Sequence, residues 1–126
     1  MFKTFHFLLL TSYFLLANAG QYREECVVCG MWIDQYMSTK YVITLKDNTT
    51  KSFCGIACTA KYLSKHKEDI KGVKVADFIT EKLIDADNAY YLEGSDVPGV
   101  MSYISRIAFG TKSDAVKDSR RSMVAG

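Results

Sequence analysis

Lys40-Tyr41-Val42-Ile43-Thr44-Leu45-Lys46 enters Asp47-Asn48-Thr49-Thr50 and leaves as Lys51-Ser52-Phe53-Cys54-Gly55. The first seven residues are rich in β-branched and aromatic side chains, which suit a pleated strand. The Asp-Asn-Thr-Thr cluster supplies turn chemistry. Lys51-Ser52-Phe53 starts a return strand, so residues 40–53 predict a β-hairpin that ends at Cys54-Gly55. Beyond it, Ile56, Ala57, Ala60 and Leu63 recur at helical spacing, which predicts a helix over 56–66. Lys65, His66 and Lys67 fall at its C-terminal end, where cations suit the dipole, and Gly72 is expected to terminate the unit.

Thiols flank this hairpin on both sides. Cys26-Val27-Val28-Cys29-Gly30-Met31 precedes it, and Cys54 and Cys58 follow, with Cys54 25 residues after Cys29. The chain has four cysteines, so its thiols fall into two close pairs. Cys26 and Cys29 lie on a tight turn, where Gly30 permits the backbone a knuckle needs. Cys54 and Cys58 are four apart at a helix start and share one face. A helix N-terminus is expected to lower their pKa, because the dipole and free N–H groups favour the thiolate. A turn pair, a hairpin and a helix-start pair, in that order, resemble a treble-clef metal knuckle.

Downstream, Val73 to Ile79 alternates as a strand, and Tyr90-Tyr91-Leu92 within Leu83 to Glu93 is strand-like. Gly94-Ser95-Asp96 and Pro98-Gly99 bracket a loop carrying Met101. Ile104 to Phe109 returns as a strand, and a helix from about Asp114 to about Met123 follows with Ser113 as its expected N-cap. The order predicts an α+β fold of two small ββα(β)-type modules. Residues 20–80 form the first, ββαβ-type and bearing the four cysteines. Residues 81–126 form the second, ββα-type and bearing Met101.

Residues 1–19 read as a secretory signal peptide. Lys3 gives a positive start, Phe7 to Leu16 an apolar run, and Ala17-Asn18-Ala19 a cleavage site. The alternative is an uncleaved N-terminal anchor, although the apolar run is short for a span. Cys26 follows Arg23-Glu24-Glu25 rather than a lipobox, so lipid attachment is not expected there. Export to the periplasm or beyond follows. Loss of Lys3 with the leader takes the basic count from 16 to 15 against 14 acidic residues, a net charge of +1 with His neutral. That balance argues against a nucleic-acid partner. Apolar residues are 48% and charged residues 24% of the 126, ordinary for a globular chain.

Three chemistries fit the four thiols. A structural Zn²⁺ would take all four in a closed tetrahedron. Two disulfides would suit an oxidising compartment. Cu(I) would take two or three sulfurs from the thiols and nearby thioethers. Met31 and Met37 flank the knuckle and Met101 sits on a Pro-Gly loop. Thioether sulfur tilts the choice toward a soft metal, although a lone Met is usually core filler. A thiol oxidoreductase is a fourth reading, from C-x-x-C alone, but the motif does not open a helix in a βαβ pattern. After the leader only His66 remains, at a helix end. A hydrolytic zinc site or a Ser/His/Asp triad is therefore not expected, and neither is enzymatic activity.

Taken together, three segments resemble the NosL family, accessory proteins of nitrous oxide reductase. Cys26-Val27-Val28-Cys29-Gly30-Met31 looks like that family's C-x-V-C-G-M motif. Tyr90 to Ser95, continuing through Val97-Pro98-Gly99-Val100-Met101, is similar to its strand and Pro-containing loop ending in methionine. Ile107-Ala108-Phe109-Gly110-Thr111-Lys112-Ser113-Asp114-Ala115 resembles its A-F, small residue, K and D-A at a helix start. The resemblance implies a periplasmic Cu(I)-binding protein that delivers copper to nitrous oxide reductase, with ligands at Cys26, Cys29, Met31 and Met101. The Cys54/Cys58 pair is richer than the family usually shows and is similar to the C-x₃-C half of heavy-metal trafficking domains. Cys54 and Cys58 therefore join the candidate set, with Zn²⁺ as the alternative ion.

Overall fold

A computed structural model describes residues 23–125; the leader read in residues 1–19 lies outside the described residues. Strand β1 (Tyr41–Leu45) pairs antiparallel with β2 (Thr50–Phe53) as the hairpin. Asp47 closes its turn: Oδ1 accepts from the Thr49 N–H at 3.1 Å and from the Thr49 hydroxyl at 2.6 Å. Helix α1 (Ile56–Lys65) follows, then β3 (Ile70–Ala76) and β4 (Leu83–Asp85). The four strands form one sheet in the order β2-β1-β3-β4, each pair antiparallel. Strands β5 (Tyr90–Glu93) and β6 (Arg106–Phe109) make a second, two-stranded antiparallel ribbon, against which helix α2 (Lys112–Ala125) packs. The α+β class stands.

The core follows from strand periodicity. Tyr41 and Ile43 alternate inward on β1 and meet Phe53 of β2 and Val75 of β3, all buried. Burying each such apolar side chain contributes about 1.5–3 kcal/mol. Ala108 of β6 joins the same cluster, so the ribbon shares the core of the larger sheet.

The sequence places several boundaries differently. Gly72 lies inside β3 opposite Thr44, beside a register shift between Thr44 and Leu45, rather than ending a unit. Strand β3 stops at Ala76, three residues before the alternating pattern does. Asp77 ends it: its Oδ1 accepts the N–H groups of Ile79 at 2.8 Å and Thr80 at 3.0 Å, which turns the chain and leaves Ile79 exposed. Strand β4 then adds to the first sheet, so a division at residue 80 falls between two paired strands. Helix α2 begins at Lys112, and its N-terminal side-chain cap is Thr111, whose Oγ1 accepts the Asp114 N–H at 3.3 Å, rather than Ser113.

Asp77 also ties the two sheets. Its Oδ2 accepts the Gly110 N–H at 2.7 Å, and the Phe78 N–H donates to the Ala108 carbonyl at 2.8 Å. Burial opposes ionisation of this carboxyl, but the backbone hydrogen bonds from Thr80, Gly110 and Ile79 outweigh it and hold its pKa below the usual carboxylate value.

Candidate metal centre

The first thiol pair rides on a small closed loop. The Cys26 N–H donates to the Met31 carbonyl at 2.8 Å and the Gly30 N–H to the Cys26 carbonyl at 2.9 Å, above a bridge between Glu25 and Trp32. Gly30 takes φ +77°, a conformation that favours glycine, which is what the turn requires. The loop docks on the hairpin through the Val27 N–H, which donates to the Ser52 carbonyl at 3.1 Å. At its base Arg23 forks onto Asp34, Nε to Oδ2 at 3.1 Å and Nη2 to Oδ1 at 2.9 Å, and its guanidinium lies over the Trp32 ring.

The second pair comes from the end of β2 and the first turn of α1. The Thr39 hydroxyl donates to the Cys54 carbonyl at 2.8 Å, and the Thr59 hydroxyl to the Gly55 carbonyl at 2.8 Å. Gly55 between strand and helix lies under the Met101 loop. A Cβ there would stand 3.2 Å from the Val100 Cβ, too close for comfortable packing.

These two supports bring all four sulfurs together. The Sγ atoms of Cys26, Cys29, Cys54 and Cys58 lie within 4.8 Å of one another, and all four cysteines are free. Cys29 to Cys54, at 3.5 Å, joins the two pairs, and Cys54 to Cys58 is 3.7 Å. A tetrahedral thiolate site with metal–sulfur bonds of about 2.3 Å has sulfur–sulfur edges of roughly 3.8 Å. These two contacts are close to the edges of a loaded four-sulfur site. Its ligand type suits Cu(I) as well as Zn²⁺.

Cys26, Cys54 and Cys58 are buried, while Cys29 is partly open to solvent. Their acidities are unequal. Burial works against ionisation of Cys26, but backbone hydrogen bonds from Cys29, Cys54 and Val28 outweigh it and bring the thiol to about 7. Burial dominates at the other pair and pushes Cys58 up to about 12 and Cys54 up as well. The expected lowering at the helix start is thus reversed, because desolvation there is the largest influence. Cys26 is the thiol favoured as thiolate, and a cation must displace the protons of Cys54 and Cys58.

The thioethers are placed differently. Met31 is half-buried against the core, and its Sδ accepts the Tyr36 hydroxyl at 3.2 Å. No sequence signal marked Tyr36 as that donor. Met37 is exposed at the surface. Met101 is 59% exposed with φ +54°, and its neighbour Val100 packs against the core, at Gly55. His66 stacks on Tyr62 with ring centroids 4.2 Å apart, at the exposed end of α1.

Comparison with solved structures finds the crystal structure of the copper chaperone NosL from Shewanella denitrificans. It matches with a TM-score of 0.67 and 25% sequence identity, covering 78% of this chain and 81% of that one. No curated protein sequence matches the chain. The sequence model of the NosL family matches residues 19–121, from ahead of the knuckle into the last helix. The chain belongs to the NosL family.

Proposed function

We propose that this protein is an exported, non-enzymatic carrier of Cu(I) that supplies copper for the assembly of nitrous oxide reductase in the periplasm. The observation that carries the reading is the four-sulfur cage, with every Sγ within 4.8 Å of the others. The related Shewanella denitrificans protein, named a copper chaperone, supports it, as does the leader read in the sequence. Thiolate and thioether sulfur select Cu(I) over harder ions.

A carrier must hold its ion and also release it. Three buried thiols retain the ion, while partly open Cys29 lies on the edge where an acceptor's sulfur can enter as Cys29 leaves. The exchange needs no electron transfer, since copper stays monovalent and one metal–sulfur bond replaces another. Met31 and Met101 are the thioether donors of this reading, Met31 from the knuckle and Met101 from the exposed loop. Anaerobic titration of the reduced protein with Cu(I), against a chromogenic chelator, should give about one ion per chain. Zn²⁺ should compete weakly. Equal preference for the two ions would refute the reading.

A second reading, a structural zinc module, rests on the closeness of four thiol sulfurs. It requires that removing the ion unfold the first sheet and that Met101 be dispensable to metal binding.

A further inference from the structure

A groove of about 320 Å³ runs beside the knuckle, lined by Val27, Val28, Lys61, Tyr62, Lys65 and His66. Its apolar side is the tip of the metal loop itself: Val27 and Val28 are the two residues between Cys26 and Cys29, and they are 47% and 37% exposed. Its other side is α1. Lys61 and Lys65 stand four apart and so share one helix face, a repulsive arrangement. Lys65 lies in the last turn, where the dipole favours a cation, but Lys61 lies mid-helix and gains nothing from it. Neither lysine nor His66 makes an ion pair among the described residues, although Glu68 and Asp69 follow closely in the chain. His66 is held against Tyr62 by stacking, which fixes the far wall.

An exposed apolar strip facing unpaired cations, continuous with the thiol loop, is complementary to an acidic segment with apolar side chains. We infer that this groove docks an acidic segment of the protein that exchanges copper with this chain. The inference rests on the copper-carrier reading. Docking here sets the partner against the residues between Cys26 and Cys29, so the incoming ligand reaches the cage without the core opening. Charge complementarity at such a rim speeds encounter and selects the partner more than it tightens the complex.

The test uses the full mature protein loaded with Cu(I), labelled with nitrogen-15, and titrated with a glutamate-rich octapeptide carrying a central pair of leucines. Amide shifts should concentrate at Val27, Val28, Lys61, Tyr62 and Lys65, and binding should weaken as salt rises. The double variant Lys61→Glu, Lys65→Glu should weaken peptide binding by about tenfold. Its amide dispersion and its Cu(I) affinity by chelator competition should be unchanged. Shifts scattered over the lysines of other faces, or peptide binding untouched by the double variant, would overturn the proposal. Binding to phosphatidylglycerol vesicles in place of the peptide, lost in the same variant, would also overturn it and assign the groove to a membrane surface. A protein that binds the peptide in the groove but shows no preference for Cu(I) would sink the carrier reading and leave the docking site standing.

Discussion

The knuckle at residues 26–31 and the loop at residues 98–104 both turn the chain through a positive φ and both carry sulfur, but one faces inward and the other faces water. In the knuckle the unusual backbone falls on Gly30, at no steric cost, and the thiols are drawn under the hairpin. In the loop it falls on Met101 itself, a side chain that disfavours that region, and the thioether stays exposed. Retention and contact are thus built into different bends. Sulfur that must hold an ion is placed by a glycine and a hydrogen-bonded loop, whereas exposed sulfur is displayed at the expense of local backbone preference.

The contrast can be broken from either end. Phe53, fully buried beside Cys54, anchors the inward-facing region. Phe53→Ala should cost about 3–5 kcal/mol in chemical denaturation of the metal-free protein and scatter the thiol cage. A cost no larger than at a surface position would mean that the hairpin does not organise the site. Next, the double variant Cys26→Ser, Cys29→Ser should lower Cu(I) affinity by at least about 100-fold, beyond what loss of an outer-shell partner does. Unchanged affinity in chelator competition would place the ion elsewhere.

Asp77 ties the sheet beneath the knuckle to the ribbon whose strands flank the loop, so its removal asks whether the two sheets fold as one. Asp77→Ala leaves three N–H groups without their acceptor and should cost about 1.5–3 kcal/mol. The pH dependence has a definite sign. The folded pKa is lowered, so the contribution of Asp77 is present above its unfolded value and disappears as pH falls through the folded one. Denaturation of the metal-free parent between about pH 5 and pH 2 should show this loss of stability, and the variant should show a flatter curve. The smallest effect belongs to the other bend. Met101→Gly relieves the positive φ and should raise stability by about 1 kcal/mol, while lowering Cu(I) affinity several-fold if its sulfur is a ligand. Affinity equal to the parent would confine the ion to the knuckle and helix sulfurs.

Local chemistry explains what the sequence disclosed. The hairpin was legible because Tyr41 to Leu45 is rich in β-branched side chains and Asp47 closes the turn with its own carboxylate. The thiol cage was legible from spacing, since a turn pair and a helix-start pair straddle that hairpin. Three features were not. The end of β3 depended on one carboxylate, Asp77, overriding an alternating apolar pattern that continued to Ile79. Strand β4 has only three residues and takes its identity from pairing with β3. The acidity order of the thiols depended on burial that no spacing encodes. Burial raised the pair at the helix start, whereas at Cys26 converging backbone donors outweighed it and lowered the pKa.

The 3.5 Å sulfur contact between Cys29 and Cys54 spans segments 25 residues apart in the chain. An ion seated there acts as a reversible staple across that loop, and its occupancy sets how firmly the loop is closed. At about a hundredfold excess of free ion over the dissociation constant, linkage adds about 2.7 kcal/mol to folding. On the copper-carrier reading, melting temperature should climb with the logarithm of available copper, and a molecule that has just surrendered its ion should be the softest in the population and the first to be cleared by proteases.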